Sequence, residues 1–375
     1  MTRVVVALGV LGFSFWRAAD AYASVIARGG GDHQTADWLI SYAGGFVRRG
    51  LFGEAFWAVA PTGQAGLWAL YWFQVACWAV VVAFGVQYLV REKFSWASVA
   101  LVCGPAAWCF PGWDPAGGFR KEILVFVALC LLGWVRLGPG RRLRDALLTG
   151  LALLFYALAV FSWEASAVLL PAVLWLVLVG ERGRTDVPGR PGVGVAFLAI
   201  SVVGVVASAL AHGDAAAAAA SCEAIRAHGI EAPGLCNGAV RWLGLSTDAS
   251  LRSVATYWPR LLAVVPLLVL GTVALWTTPW LRRNAGWAAA TTIAVLPLFV
   301  IALDYGRWTH MLVMALAICV ASSVRGAGES KQWTAVAACV YVMAWGVPHS
   351  LNAGVGWLGF LQASGQSVIA RLWGG

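Results

Sequence analysis

Long apolar stretches separated by short polar connectors recur from one end of the chain to the other. They fall at Val4–Ala19, Gly66–Val90, Phe94–Phe110, Ile123–Val135, Ala146–Phe161, Ser166–Gly180, Val193–Ala211, Leu261–Leu281, Gly286–Leu303, Thr309–Ser323 and Trp333–Val347, and a further apolar tail follows Leu351. The stretches are continuous and lack the period-two alternation of a membrane β-barrel. Hydrocarbon offers a backbone N–H or C=O no partner, so such stretches cross it as helices. The pattern predicts an all-α, polytopic transmembrane helix bundle of about eleven spans, several of them short enough to need tilt or burial in protein. The first stretch has only Arg3 before it and no small-residue cleavage site, and it reads as a retained helix. With no stretch resembling a soluble domain, residues 1–375 read as a single integral membrane domain.

Two regions do not fit the spanning pattern. Residues 32–61 are too polar to cross, yet they hold Trp38, Leu39, Ile40, Phe46, Leu51, Phe52, Phe56 and Trp57. This suits an outer interfacial helix or a re-entrant element. Its glycines Gly44, Gly45, Gly50 and Gly53 allow either close approach to a ligand or close packing of helices. Residues 212–258 form the longest loop. There Asp214 can cap a helix that runs through Ala215–Ala220 to about His228, stopped by Gly229. Cys222 and Cys236 lie in the same loop, either bridged, which requires an oxidising compartment, or as two reduced thiols. The remaining cysteines, Cys77, Cys103, Cys109, Cys130, Cys319 and Cys339, fall in spans and read as packing residues.

Composition agrees with the pattern: 61% of residues are hydrophobic, 11% are charged and the mean hydropathy is +0.77, which excludes a soluble globular chain. The net charge of +9 is scattered as short groups between spans, which argues against nucleic acid as a partner. With the N-terminus in the cytoplasm, the loops at Arg91 and Lys93, Arg136–Arg144, Arg182–Arg190, Arg282 and Arg283, and Arg325–Lys331 all fall inside. The opposite loops carry most of the acids and three charged clusters, which are therefore expected on the extracytoplasmic side.

Ionised groups in so apolar a chain are expensive unless they face water, protein or an anionic ligand. The first cluster is G-G-F-V-R-R-G-L-F-G-E, with Arg48, Arg49 and Glu54. Paired guanidiniums suit a phosphate or pyrophosphate, although one could pair with Glu54 and the other with lipid headgroups. The second, D-P-A-G-G-F-R-K-E, holds Asp114, Arg120, Lys121 and Glu122 at a glycine turn into a helix. It reads as an anion site or as ordinary capping with an Asp114–Arg120 pair. The third, D-Y-G-R-W, holds Asp304, Arg307 and Trp308, with His310 following; an Asp304–Arg307 bridge is its structural alternative. Glu164, in a short turn flanked by apolar residues, and Asp20, three residues after Arg17, are further candidates for a general base. An Arg17–Asp20 ion pair is the plainer account of the latter.

No phosphate loop, dinucleotide fingerprint, G-x-S-x-G elbow, D-x-D pair, C-x-x-C or H-E-x-x-H spacing occurs, so no metal or cofactor is implied. The three clusters, Trp163–Glu164 and the two-cysteine outer loop together resemble polytopic proteins of bacterial surface-polysaccharide loci. They are similar to Wzy-type polymerases and, more distantly, to GT-C glycosyltransferases. The resemblance implies glycan transfer or polymerisation from a polyprenyl-pyrophosphate-linked saccharide on the outer face of the bacterial inner membrane. Its partners would be the lipid-linked oligosaccharide, membrane lipids and other envelope-assembly proteins. Arg48, Arg49, Arg120, Lys121 and Arg307 would hold the pyrophosphate, and Asp304, Glu164 or Asp20, in that order, would deprotonate the acceptor. Glu54, Asp114, Glu122, Trp308 and His310 would complete the substrate site. A transporter or flippase for an anionic lipid-linked glycan, or a non-catalytic assembly subunit, would use the same clusters without a base.

Overall fold

The computed structural model describes residues 2–91, 95–138, 140–179, 190–211, 213–323 and 333–350. Lys93, nearly all of the basic loop 182–190, residues 325–331 and the apolar tail after Leu351 lie outside the described residues. Within them the regular elements are helical, with no strand. In chain order these are α1 (Thr2–Ala27), α2 (Ala36–Leu39), α3 (Leu51–Trp57), α4 (Gly63–Arg91), α5 (Trp96–Cys103), α6 (Phe110–Trp113), α7 (Pro115–Gly118), α8 (Glu122–Leu137), α9 (Arg142–Ser162), a 3-10 turn (Glu164–Leu169), α10 (Leu170–Leu178) and α11 (Pro191–Leu210). There follow α12 (Ala215–Ala227), a 3-10 turn (Pro233–Cys236), α13 (Ala239–Leu243), α14 (Thr247–Tyr257), α15 (Pro259–Trp276), α16 (Pro279–Arg283), α17 (Ala285–Val295), α18 (Leu298–Ile301), α19 (Tyr305–Ala321) and α20 (Ala335–Met343).

Among the described residues four helices are long and apolar enough to cross a membrane: Val4–Ala27 of α1, then α4, α9 and α11. Other predicted spans are shorter, and proline accounts for several of the breaks. The stretch expected at Phe94–Phe110 stays helical only to Cys103, because Pro105 pushes Gly104 to an extended ψ of 142°. The stretch at Gly286–Leu303 divides at Pro297 into α17 and α18. That at Leu261–Leu281 ends at Trp276 and resumes as α16 with Pro279 in its first turn. The described residues thus form an all-helical structure with four long apolar helices and several shorter ones.

The chain forms two compact units. The first comprises Met1–Ala18, Val82–Gly118 and Ser253–Gly375; the second comprises Ala19–Val81 and Phe119–Arg252. At the centre of the second, α8 buries every residue from Glu122 to Gly133 and packs along α9. Such all-round burial marks a helix surrounded by protein. By contrast α11, which packs on α9 and α10, buries only Gly194, Phe197, Ser201 and Gly204, one stripe at helical spacing. Its small residues let neighbours approach, Gly204 meeting Val160 and Gly194 meeting Leu178. Tyr156 and Ser201 share a hydrogen bond of 2.7 Å across the same seam. Exposed Val195, Leu198, Val202, Val203 and Leu210 leave the rest of α11 suited to lipid.

Residues 32–61 fold as α2 and α3, which pack on each other, with α3 also against α9. Trp38 is fully buried, edge-on to Phe52 at 4.7 Å. A side chain at Gly53 would strike the carbonyl of Ile40, and one at Gly50 would strike the Tyr42 ring, so these two glycines serve packing. Gly45, at φ +99°, makes the turn between the helices. In the segment after α11, Asp214 caps α12 by accepting the Ala217 N–H at 2.8 Å, Gly229 follows at φ +75°, and Cys222 is joined to Cys236 by a disulfide. In the first unit α19 is buried almost all round against α15, α17 and α18, while α5 packs on α15 and α20.

Candidate functional site

The second unit gathers charge around a buried ammonium. Lys121, at the entry to α8, has no exposed side-chain surface; its Nζ donates to the Arg49 carbonyl at 2.9 Å and lies 3.9 Å from Asp37 Oδ1. Burial, the dominant influence, drops its pKa to about 8 despite Asp37 beside it. A network pins the strand of chain before Asp37 to the residues before Lys121. Tyr22 stacks on Phe119 at 4.6 Å and shares a hydrogen bond with Thr35 at 3.1 Å, while Trp38 donates to the Phe119 carbonyl at 3.3 Å.

Above this ammonium stand the paired arginines. Arg48 and Arg49 reach the same oxygen of Glu164, Oε1, at 3.4 and 3.6 Å, with side chains 25% and 23% exposed. Arg48 is also tied by its backbone N–H to the Ala211 carbonyl at 2.7 Å. Among the described residues Arg49 is the one non-glycine residue with positive φ, +73°. A left-handed residue costs about 1–2 kcal/mol, and here the Lys121 bond to its carbonyl and the Glu164 contact with its guanidinium hold it in place. Burial, then the adjacent Arg49, lower the Arg48 pKa, but a guanidinium keeps its charge at any accessible pH, so an anion would relieve the strain between the pair. In these contacts three cations, Lys121, Arg48 and Arg49, face two carboxylates, Asp37 and Glu164, and Arg48 Nε and Glu164 Oε2 make no hydrogen bond with described residues.

This arrangement differs from the local pairing considered for the first cluster. Glu54 turns away and accepts the Tyr42 N–H at 3.0 Å, while Glu164, more than a hundred residues along the chain, takes both arginines. Apolar flanking residues alone would favour the neutral form of Glu164. Two guanidiniums stand against it instead, and opposite charges at this range favour the carboxylate. Arg120 and Glu122 are buried on either side of Lys121, and Asp20 lies on α1 near Tyr71, whose hydroxyl donates to the Ala19 carbonyl at 3.1 Å. Asp37 was missed as a site residue, although an acid followed by Trp38, Leu39 and Ile40 signals burial and hence a partner.

The other candidates lie in the first unit. Asp304 precedes α19 and pairs with Arg307, whose guanidinium lies 5.3 Å from the centre of the Trp308 ring. His310 is buried, stacked on Phe110 at 4.2 Å, with Nδ1 donating to the Ala106 carbonyl at 3.0 Å. Asp114 pairs with His349 at 2.7 Å, and the two ends of its motif, Asp114 and Arg120, belong to different units. Arg17 donates to the Gly112 carbonyl and is an electrostatic neighbour of Asp114. His349 carries no sequence signal: V-P-H-S after a helix matches no motif. No group of three or more His, Cys, Asp or Glu among the described residues has metal-binding geometry. Compared with known proteins, the chain matches no family model, no curated protein and no solved structure.

Proposed function

We propose that the chain is a membrane-embedded enzyme that transfers or polymerises a glycan from a polyprenyl-pyrophosphate-linked saccharide on the extracytoplasmic face of the bacterial inner membrane. The observation that carries this reading is the second unit's arginine pair, held side by side on Glu164 and raised on buried Lys121. Forked donors with excess positive charge suit a pyrophosphate and would stabilise it as a leaving group. The apolar helices supply a route for the carrier's hydrocarbon tail, and the Cys222–Cys236 bridge supports an oxidising compartment for the outer loop.

Purified protein in lipid vesicles, given a polyprenyl-pyrophosphate-linked saccharide, should form new glycosidic bonds detectable by mass spectrometry. Arg48→Ala should weaken binding of the carrier at least about tenfold, the value of one charge-assisted hydrogen bond. Movement of the saccharide across the bilayer with no new bond would instead assign the chain to transport. Unchanged binding in Arg48→Ala would remove the arginine pair from the site.

A further inference from the structure

We propose that Asp114 and His349 form a proton-accepting dyad in the first unit, serving a hydroxyl-bearing substrate. Asp114 Oδ2 accepts the backbone N–H of His349 at 2.6 Å and its ring Nδ1–H at 2.7 Å, while Oδ1 accepts the Gly117 N–H at 3.0 Å. An ionised carboxylate can only accept, so it selects the tautomer with hydrogen on Nδ1 and leaves Nε2 as the basic nitrogen. A carboxylate that orients an imidazole and stabilises its cation is the arrangement general-base catalysis requires. Burial raises the Asp114 pKa, but the donors from His349 and Gly117 outweigh it and hold the group below the ordinary carboxylate value.

The surroundings distinguish this histidine from a packed one. His349 and Asp114 are 24% and 13% exposed at their side chains, within reach of a ligand, whereas His310 is sealed against Phe110. A Cβ at Gly117 would press on the Cβ of His349, so the glycine turn is what admits the ring. Gly306 of α19 packs against the Pro348 carbonyl, which brings the Asp304–Arg307 turn alongside the His349 segment. Among the described residues of the first unit, the charged groups around the dyad are therefore Arg17 from α1, Asp304 just before α19 and Arg307 on it.

His349 Nε2 takes the proton of a hydroxyl: the O–H bond breaks as the N–H bond forms, the electron pair stays on oxygen, and Asp114 stabilises the imidazolium. The identity of that hydroxyl rests on the glycan-transfer reading, where it belongs to the acceptor sugar.

Two measurements on the full chain in vesicles test the dyad. Diethyl pyrocarbonate, which acylates unprotonated imidazole nitrogen, should modify His349 at least tenfold faster than His310 by peptide mass spectrometry. Asp114→Asn should slow that modification at least threefold. An unreactive His349, or a rate indifferent to Asp114→Asn, overturns the dyad. With the polyprenyl-pyrophosphate-linked saccharide, His349→Gly should lower kcat at least a hundredfold, leave KM within threefold and recover on addition of imidazole. Normal turnover, or a loss that imidazole does not rescue, leaves only a structural latch and also overturns it. If wild-type His349 reacts as expected but no glycosidic bond forms, the glycan-transfer reading fails while the dyad stands as a proton acceptor for another hydroxyl.

Discussion

The two units use the same residue types for opposite electrostatic ends. In the second, Lys121, Arg48 and Arg49 outnumber Asp37 and Glu164, and the buried ammonium spends a bond on a backbone carbonyl rather than on a carboxylate alone. In the first, Arg17 and Arg307 are matched by Asp114 and Asp304, and the extra group is an imidazole. Surplus cations attract an anion, whereas a balanced set around a histidine suits proton exchange. The difference lies in what each carboxylate is asked to hold: Glu164 holds two guanidiniums, and Asp114 holds a ring and two backbone amides.

The largest effect that would break this comparison is expected at Lys121. Lys121→Met removes a fully buried charge from opposite Asp37 and the donor from the Arg49 carbonyl, and removing one partner of a buried pair costs about 3–5 kcal/mol. Thermal unfolding in detergent should show a far greater loss than for Asp304→Asn. Equal losses would deny Lys121 its central place.

Solution pH should separate the units by the range in which each group titrates. The folded-state pKa of Lys121, about 8, lies below its ordinary value of 10.5, so the unfolded chain binds the extra proton between those values. The stability contribution of this group therefore rises as pH climbs through that window. Asp114, held below its ordinary value of 3.8, contributes stability that is present above that value and lost as pH falls through the folded one. Unfolding followed against pH should lose the alkaline rise in Lys121→Met and the acid loss in Asp114→Asn, each without the other.

Smaller still is the backbone term at Arg49. Arg49→Gly and Arg49→Ala remove the same guanidinium, but only glycine relaxes the left-handed residue, so the glycine variant should be the more stable by about 1 kcal/mol. Indistinguishable midpoints would mean that the backbone there is not strained. The smallest change is expected in the first unit, where Asp304→Asn loses a partly exposed pair one helical turn apart and should cost about 0.5 kcal/mol. A loss several times larger would make that pair a structural centre comparable with Lys121.

Much of the helical framework was legible because its signals are local. The Asp214 cap, the alanine run and the Gly229 stop of α12 lie within sixteen residues of sequence, and each acts on neighbouring backbone. The long apolar helices α1, α4, α9 and α11 follow from uninterrupted hydropathy. Shorter elements were less legible where proline interrupts an apolar run, as at Pro105 and Pro297, because hydropathy counts side chains while proline acts on backbone geometry. The candidate site divides in the same way. Arg48, Arg49 and Lys121 stand out as charges in an apolar chain, but Asp37 and His349 enter only through their contacts.

By itself, then, the sequence determined an all-helical, strongly apolar protein and the charged residues around which its chemistry must be sought. Only tertiary structure decided the partners: Glu164 for Arg48 and Arg49, Asp37 for Lys121, and His349 for Asp114. Pairs close in sequence contribute a few tenths of a kcal/mol and are readily given up, as Glu54 is. A charge enclosed in an apolar interior costs several kcal/mol unless compensated, so it takes its partner from wherever the fold brings one within reach.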